Sequence, residues 1–189
     1  MKKIVLAATV LLLSFSLYCQ QANTLKAIKF RSINAVNYIA GSSDKQIGLS
    51  TVNGITCKQW FVGVGLSYDP YGHKGNTIYG SIQKSFVTGI WQPFINLDAG
   101  IYIPEKTSDY PDKPLNPDMP YYTMKNTFYG GLSLGVSKTI AGNNKLFAKL
   151  GVEYKRFNVT QSGGFVSYSQ DIEYNYEYTP FSFSIGFML

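Results

Sequence analysis

The chain has 189 residues, enough for one domain, and a formal net charge of +6. Charged residues make up 15% of it, below the roughly 25% of soluble domains, whereas aromatic residues also reach 15% and glycines number 18. No run of Lys or Arg suggests a nucleic-acid partner. The glycine and aromatic content favours a protein of many strands.

The N-terminus has the pattern of a secretory signal peptide. Two lysines precede an apolar stretch at 4–18, which is too short for a comfortable transmembrane helix. We expect residues 1–19 to be removed and residues 20–189 to form one barrel domain. Lipidation of Cys19 is the alternative. Tyr18 disfavours it, because the residue before a lipidated cysteine is usually small.

Beyond residue 26, apolar residues alternate with small or polar residues in eight segments. Side chains alternate across a strand, so each segment has one apolar face. The first segment loses this alternation at 32–34, which predicts a bulge or a late start. The last begins at 173, or at Pro180 if the proline marks its start. The predicted strands lie within 27–40 and at 46–56, 60–68, 77–86, 91–103, 122–140, 145–157 and 173–189.

The final strand shows the alternation most clearly. It is about ten residues long, the length that a tilted strand needs to cross a bilayer. Its other face carries Ser, Gly and Met. We interpret it as the closing strand of a membrane β-barrel, and its apolar face consists of Phe181, Phe183, Ile185, Phe187 and Leu189.

The connections agree with such a barrel. An even number of strands places both termini in the periplasm, so the connections after strands two, four and six should be short. The segment at 41–45 is short and does not discriminate. The three periplasmic turns are predicted at 57–59, 87–90 and 141–144, and the longer external loops at 69–76, 104–121 and 158–172.

Aromatic residues fall near both ends of the predicted strands. Such rings favour the two membrane interfaces, so they predict two aromatic girdles. The set consists of Trp60, Phe86 and Trp91 at the periplasmic turns and Tyr68 and Tyr102 at the opposite ends. Three cations on the lipid-facing parity lie near strand ends, where long stems let the charge reach the interface. These are Lys84, Lys138 and Arg156.

The other parity is rich in Gly and Ser, which suits a narrow interior filled by side chains. Asp98, Lys149, Glu153 and Lys155 also fall on it. Charges inside a barrel must be paired or hydrated. We therefore expect Asp98 and Glu153 to face Lys149 and Lys155, as a polar plug rather than an ion path. A soluble lipocalin-like binding barrel, with its apolar face inside, is the structural alternative.

With this signal peptide, alternation and final strand, the chain resembles the small eight-stranded outer-membrane β-barrel proteins of Gram-negative bacteria, of the OmpA/OmpX type. The resemblance implies an all-β, eight-stranded antiparallel up-and-down transmembrane β-barrel in the cell outer membrane. It implies contact with outer-membrane lipids and lipopolysaccharide, and assembly by the barrel-assembly machinery. The final strand resembles the signal that this machinery reads, but Ser184 replaces the usual Gly, and Leu189 replaces the commoner terminal Phe.

The expected role is structural or surface-interacting and non-catalytic, in a monomer without cofactor or metal. No peptidoglycan-binding domain follows the barrel, so we expect no anchoring role of that kind. The loop at 104–122 is the best candidate for an external contact, because rigid scaffolds present functional loops. Its Asp109, Asp112 and Asp118 lack the spacing of an EF-hand.

An outer-membrane enzyme that modifies lipid A is the alternative function. Such enzymes use a His with a Ser and an acid on the outer barrel wall. The sequence offers His73 with Asp69, at no recognisable spacing. Cys57, the cysteine left after signal cleavage, has no intramolecular disulfide partner and is expected to be an unpaired cysteine at a turn.

Overall fold

The structure is a computed structural model that describes residues 28–41, 45–71, 74–105, 121–142, 144–162 and 172–189. Among these residues, no helix is long and apolar enough to cross a membrane. The regular elements are β1 (Ile28–Ala40), β2 (Lys45–Cys57), β3 (Trp60–Asp69), β4 (Gly75–Ser85), β5 (Trp91–Pro104), β6 (Tyr121–Lys125), β7 (Thr127–Ala141), β8 (Asn144–Ser162), β9 (Ile172–Tyr178) and β10 (Phe181–Met188).

The strands form one closed antiparallel barrel of eight strands. Two of the eight are interrupted: β6 and β7 pair with β8 on one side, and β9 and β10 pair with it on the other. Each remaining strand pairs with the next along the chain. Pairing of β10 with β1 closes the circle. The predicted eight-stranded up-and-down barrel is confirmed.

Closure of the barrel is extensive. The pairing of β1 with β10 runs from Ile33 opposite Met188 to Ala40 opposite Phe181. The backbone nitrogen of Ser32 donates to the Leu189 carbonyl at 3.1 Å, and that of Leu189 donates to the Ser32 carbonyl at 2.8 Å. The start of β1 and the end of β10 therefore lie at the same rim.

The two interruptions differ in their geometry. Across Pro180, Tyr178 lies opposite Lys155 and Phe181 lies opposite Val152, so the register continues unchanged. The proline lacks a backbone donor, but its carbonyl still accepts a hydrogen bond from β8 at 3.0 Å. Between β6 and β7, by contrast, the register changes. Lys125 and Tyr129 are four residues apart, whereas their partners on β8, Asn158 and Lys155, are three residues apart. This places one extra residue in the strand, next to Asn126.

The three predicted periplasmic turns lie together at the rim that holds the start of β1 and the end of β10. The hairpin after β2 turns at Lys58 and Gln59, with Cys57 opposite Trp60. Lys58 adopts a left-handed conformation with φ 55°, as does Gly142 in the third short turn with φ 59°. Such conformations match the twist of two-residue hairpins. Much of the three predicted external loops, at 72–73, 106–120 and 163–171, lies outside the described residues.

Two details of the predicted strands are wrong. No bulge occurs at 32–34, because β1 pairs with β2 in continuous register from Ile28 to Ala40. The strand predicted to end at 157 continues to Ser162 as part of β8. Apart from the buried Val159, its last residues are polar, so they show no apolar alternation. Their backbone groups are nevertheless paired by β6 and β9.

Glycine spacing on the inward face offers a direct test of the packing. A Cβ at Gly100 would come 2.5 Å from the Tyr79 Cα, whereas one at the outward Gly80 would come no closer than 3.8 Å to the Ala99 carbonyl. We expect Gly100→Ala to reduce the free energy of unfolding by about 1–3 kcal/mol, the usual cost of overpacking. Gly80→Ala, the matched control one strand away, should change it by less than about 0.5 kcal/mol. Urea titration of the refolded barrel measures both, and equal effects would contradict the assigned faces.

Candidate functional site: the filled lumen

The lumen is filled by aromatic rings that lie over glycines of neighbouring strands. Tyr79 lies directly opposite both Gly65 and Gly100, and Phe94 lies opposite Gly135. A Cβ at Gly65 would come 2.5 Å from the Tyr79 ring. Directly opposed side chains on one sheet face are in contact. The inward glycines therefore provide the space that the rings occupy.

These rings belong to two buried apolar clusters. Tyr79 and Tyr129 have ring centroids 5.6 Å apart, and Phe94 and Phe147 have centroids 6.3 Å apart. One cluster contains Val52, Phe61, Tyr79, Tyr102, Tyr129 and Val159, and the other contains Phe94, Phe147 and Met188. An eight-stranded barrel has an interior that side chains just fill, and this one is filled largely by aromatic residues.

A connected set of polar side chains lies in the lumen. Asp98 is 6% exposed, and its Oδ2 accepts a hydrogen bond from Asn96 Nδ2 at 2.8 Å. Ser81 Oγ donates to Asn96 Oδ1 at 3.0 Å. Lys149 Nζ lies 3.9 Å from the same Asp98 oxygen. A cavity of about 20 Å³ beside Asp98 and Lys149 has room for about one water molecule.

A second charged group lies nearer the external rim, at the end of β3. The Lys155 side chain is 3% exposed and forms ion pairs with Asp69 and with Glu153, the latter at 3.2 Å. The backbone N–H of Tyr71 donates to Asp69 Oδ1 at 2.9 Å. The Tyr71 ring centroid lies 6.0 Å from Lys155 Nζ. One ammonium thus holds two carboxylates from two strands, and we call Asp69, Glu153 and Lys155 the upper charge cluster.

The structure places all four charged residues that the sequence singled out inside the barrel. Asp98 lies beside Lys149, and Glu153 lies beside Lys155. Asp69 was missed as a member of the group, although it shares the inward parity of Gly63, Gly65 and Ser67. Its identification from the sequence needed only the continuation of that parity by two residues.

The structure does not place Asp69 where the alternative enzyme function requires it. The alternative function requires Asp69 to act with His73 on the outer barrel wall. Asp69 is instead 3% exposed and turned into the lumen, where it pairs with Lys155. His73, like Asp109, Asp112 and Asp118 of the long loop, lies outside the described residues.

The girdle residues divide between the two faces. Trp91, Phe86 and Tyr68 are 58%, 55% and 41% exposed on the outward face, and Trp60 is half-buried there. The assignment of Tyr102 to the girdle is wrong, because its side chain is 1% exposed. It shares the parity of Asp98, four residues earlier, and therefore turns into the lumen.

Two lipid-facing lysines are paired with tryptophans at the rim of short turns. Lys84 lies opposite Trp60 with its Nζ 4.4 Å from the ring centroid. Lys138 lies opposite Trp91 with its Nζ at 5.1 Å. Cation–π contacts of this kind are favourable, more so where water is excluded. The third cation, Arg156, lies 4.0 Å from Glu177 near the other rim.

Most of the barrel exterior is apolar. The final strand shows the arrangement: the Phe and Ile residues of β10 are exposed, while Ser182, Ser184 and Met188 are buried. The same inversion holds on the other strands, with Leu49, Val64, Leu97 and Leu134 all more than half exposed. The lipocalin-like alternative is therefore wrong, because it requires the bulky apolar face to line the interior. This exterior fits a barrel that spans a lipid bilayer.

Three strands extend beyond the external rim. The second half of β8 has β6 on one side and β9 on the other. Lys125 of β6 and Glu173 of β9 form an ion pair at 3.3 Å across β8. All of β9 up to Glu177 is exposed. We call this part, made of β6, β9 and the end of β8, the three-stranded extension.

No protein-family model matches the chain, and no curated protein sequence matches it. Among solved structures, it is similar to the solid-state NMR structure of outer membrane protein AlkL in DMPC lipid bilayers. The two chains are 11% identical, with a TM-score of 0.48 over 84% of this chain and 88% of that one. The closed eight-stranded barrel and its largely apolar exterior are, on their own geometry, those of a small transmembrane β-barrel.

Removal of the shared cation tests the upper charge cluster. We expect Lys155→Met to lower the free energy of unfolding by about 3–5 kcal/mol, because it leaves two buried carboxylates without their partner. Lys149→Met is the matched control. Asp98 keeps its hydrogen bond from Asn96 in that variant, so the loss should be about 1 kcal/mol. Urea unfolding followed on unboiled gels gives both values, and a smaller effect at Lys155 would contradict the cluster.

Proposed function

We propose that this protein is a non-conducting and non-catalytic outer-membrane barrel. In this proposal, the barrel has a structural role in the membrane and holds the three-stranded extension at the cell surface, where the extension contacts an external protein. The filled lumen is the observation that carries the proposal. Its outward tryptophans and Tyr68 serve as interfacial anchors, and membrane lipids and lipopolysaccharide surround its apolar wall.

Packing of the lumen supports the non-conducting part. Rings from strands that are two apart in the barrel meet in its interior, as the contacts of Tyr79 with Tyr129 and of Phe94 with Phe147 illustrate. Lys155, near the external rim, is held by two carboxylates and is 3% exposed. A solute path would have to displace these ion pairs and rings, at the cost of leaving buried charges unpaired.

The position of the acid supports the non-catalytic part. A lipid A-modifying site needs a carboxylate on the outer wall, within reach of a lipid. Asp69 is turned into the lumen and is already ion-paired. Two exposed acids, Glu173 and Glu177, pair with Lys125 and Arg156, an arrangement that ties the extension together.

The extension supports the surface-interaction part. Tyr174 and Tyr176 are each 40% exposed and lie on one face of β9, with ring centroids 6.5 Å apart and planes at 28°. Tyrosine is enriched in protein–protein interfaces, because its ring buries area while its hydroxyl remains able to bond. Strand pairing on a rigid barrel fixes this face in position, so binding would cost little ordering of the chain.

Electrical recording tests the closed lumen. We expect purified protein inserted into planar lipid bilayers to give no stepwise conductance in concentrated potassium chloride, because rings and ion pairs fill its interior. Insertion itself is verified by the shift of the unboiled band on a gel of the same sample. Reproducible steps from the folded, inserted protein would contradict a structural role and indicate a channel.

Photo-crosslinking in intact cells tests the external contact. A benzophenone amino acid at position 176 should give adducts with another protein, since the Tyr176 ring is exposed on the extension. The same group in place of Leu134, which is 62% exposed on the barrel wall, is the matched control and should give none of these adducts. If neither position gives adducts, the contact role is refuted and the structural role alone remains.

A further inference from the structure

One region of the lipid-facing wall is polar. Ser32 and Asn53 lie opposite each other on β1 and β2, and Asn34 and Thr51 form the next pair on the same face. Residues directly opposite on paired strands share a face, and their neighbours on that face, Val64 and Leu66, point outward at 63% and 54% exposure. We call Ser32, Asn34, Thr51 and Asn53 the polar patch.

The patch contrasts with the rest of the wall. Along the same rows, the outward positions of β3, β4, β5, β7 and β10 in the described residues are apolar or glycine between the Trp–Lys pairs at one rim and the Tyr68 row at the other. Representative members of these rows are Val64, Gly80, Ala99 and Gly130, followed by Leu66, Ile78, Ile101 and Phe128. Four polar side chains have thus collected on two adjacent strands, while no comparable group occurs elsewhere in the central wall that the structure describes.

The amides of the patch are incompletely bonded within the chain. Asn34 Nδ2 donates to Ser32 Oγ at 3.2 Å, whereas the Asn53 side chain, which is exposed, forms no hydrogen bond with another described residue. Lipid tails offer neither donors nor acceptors, so an amide that faces them remains unpaired. The patch therefore has hydrogen-bonding capacity that a polar partner from outside the chain, at the same depth in the membrane, could use.

A groove of about 390 Å³ adjoins the patch. Asn34 and Thr51 contribute to its lining, together with bulky side chains on the neighbouring strands such as Phe187 and Leu66. The short polar side chains create a depression between these larger ones. The surface thus combines unpaired hydrogen-bonding groups with a shape that can accept a side chain.

We propose that the polar patch is the contact surface of a homodimer, with a second copy of this chain as its occupant. All copies insert with the same rim toward the periplasm, so a two-fold axis between two copies must run along the membrane normal. Each residue then meets the partner copy at its own depth, and the polar patch meets the polar patch. A side-chain amide carries both donors and an acceptor, so it pairs with its own copy across such an axis.

A second copy fits the patch better than a lipid does. Interfaces in membranes form through close packing and polar side chains that bond across the contact. An acyl chain would fill the groove but leave the Asn53 amide unpaired. The dimer satisfies both features with residues already present at the correct depth, and it replaces the expectation of a monomer.

Cysteine crosslinking in native outer membranes tests the dimer. Asn53→Cys and Asn34→Cys are each made in a Cys57→Ser background and oxidised with copper phenanthroline. We expect a disulfide-linked band of twice the chain mass, lost on reduction. Leu134→Cys in the same background, on the opposite wall of the barrel, is the matched control and should remain monomeric, as should the Cys57→Ser background itself.

Several outcomes would overturn the dimer. No crosslink at either asparagine position, or equal crosslinking at Leu134→Cys, excludes a specific contact of two copies at the patch. An adduct of a different mass shows that another protein occupies the surface. Crosslinking is read only from variants whose unboiled band shows a folded barrel, so misfolding cannot produce a false negative.

A second variant separates association from folding. Asn34→Leu/Asn53→Leu makes the patch apolar like the remaining wall. We expect the barrel to stay folded, while its dimer dissociation constant in detergent micelles rises about tenfold or more from the lost amide hydrogen bonds. Sedimentation equilibrium of wild type and variant measures this constant. An unchanged constant, or a wild-type protein that is monomeric at all concentrations, would overturn the proposal.

Discussion

Closure of the sheet between β1 and β10 is the constraint on which the rest of the structure depends. In a bilayer, an open edge would leave a row of N–H and C=O groups without partners, and each unpaired group is costly. Here the pairing from Ile33 to Ala40 removes both edges at once. Because the side-chain period is two, this register also decides which residues face lipid. A slip of one residue would turn Phe183 and Phe187 into the lumen and expose the serines between them.

The content of the lumen follows from that closure. Eight strands leave an interior only as wide as a few side chains, and the aromatic rings fit because glycines oppose them, as Gly65 and Gly100 oppose Tyr79. The remaining space is closed by charges that neutralise one another. Lys155 draws its partners from the end of β3 and from its own strand. The cluster thus ties the external rim together, where the barrel is no longer constrained by lipid.

The alternation of the sequence predicted the strands, the short turns and the inward charges, because burial by lipid on one face and by the lumen on the other imposes period two. The same period of two places Asp69 and Tyr102 in the lumen, but their positions near strand ends suggested a loop acid and a girdle residue instead. The interruption near Asn126 and the extension of β8 to Ser162 were not predictable in this way. Both involve residues near or beyond the external rim, where no lipid requires the outward face to be apolar. The bulge predicted at 32–34 is absent for another reason. The backbone there is regular, and the loss of alternation in the sequence reflects polar side chains on the lipid-facing side.

The polar residues on the lipid-facing wall can be compared with those in the lumen. In the lumen, several buried polar groups find partners within the chain, as Asn96 does with Ser81 and Asp98, while others, such as Thr77 Oγ1 and Ser133 Oγ, form no hydrogen bond with a described residue. On the wall, the same physical requirement applies at Asn53, whose outward neighbours are the apolar Val64 and Ile55 and the small hydroxyl residues of the polar patch. Polar side chains cost free energy in either place unless bonded. Water can reach polar groups in a lumen but not those that face lipid tails, so the polar residues on the wall are accounted for if their missing bonds form between copies. The polar break in the apolar pattern of β1 is then a property of the dimer and not of the single barrel.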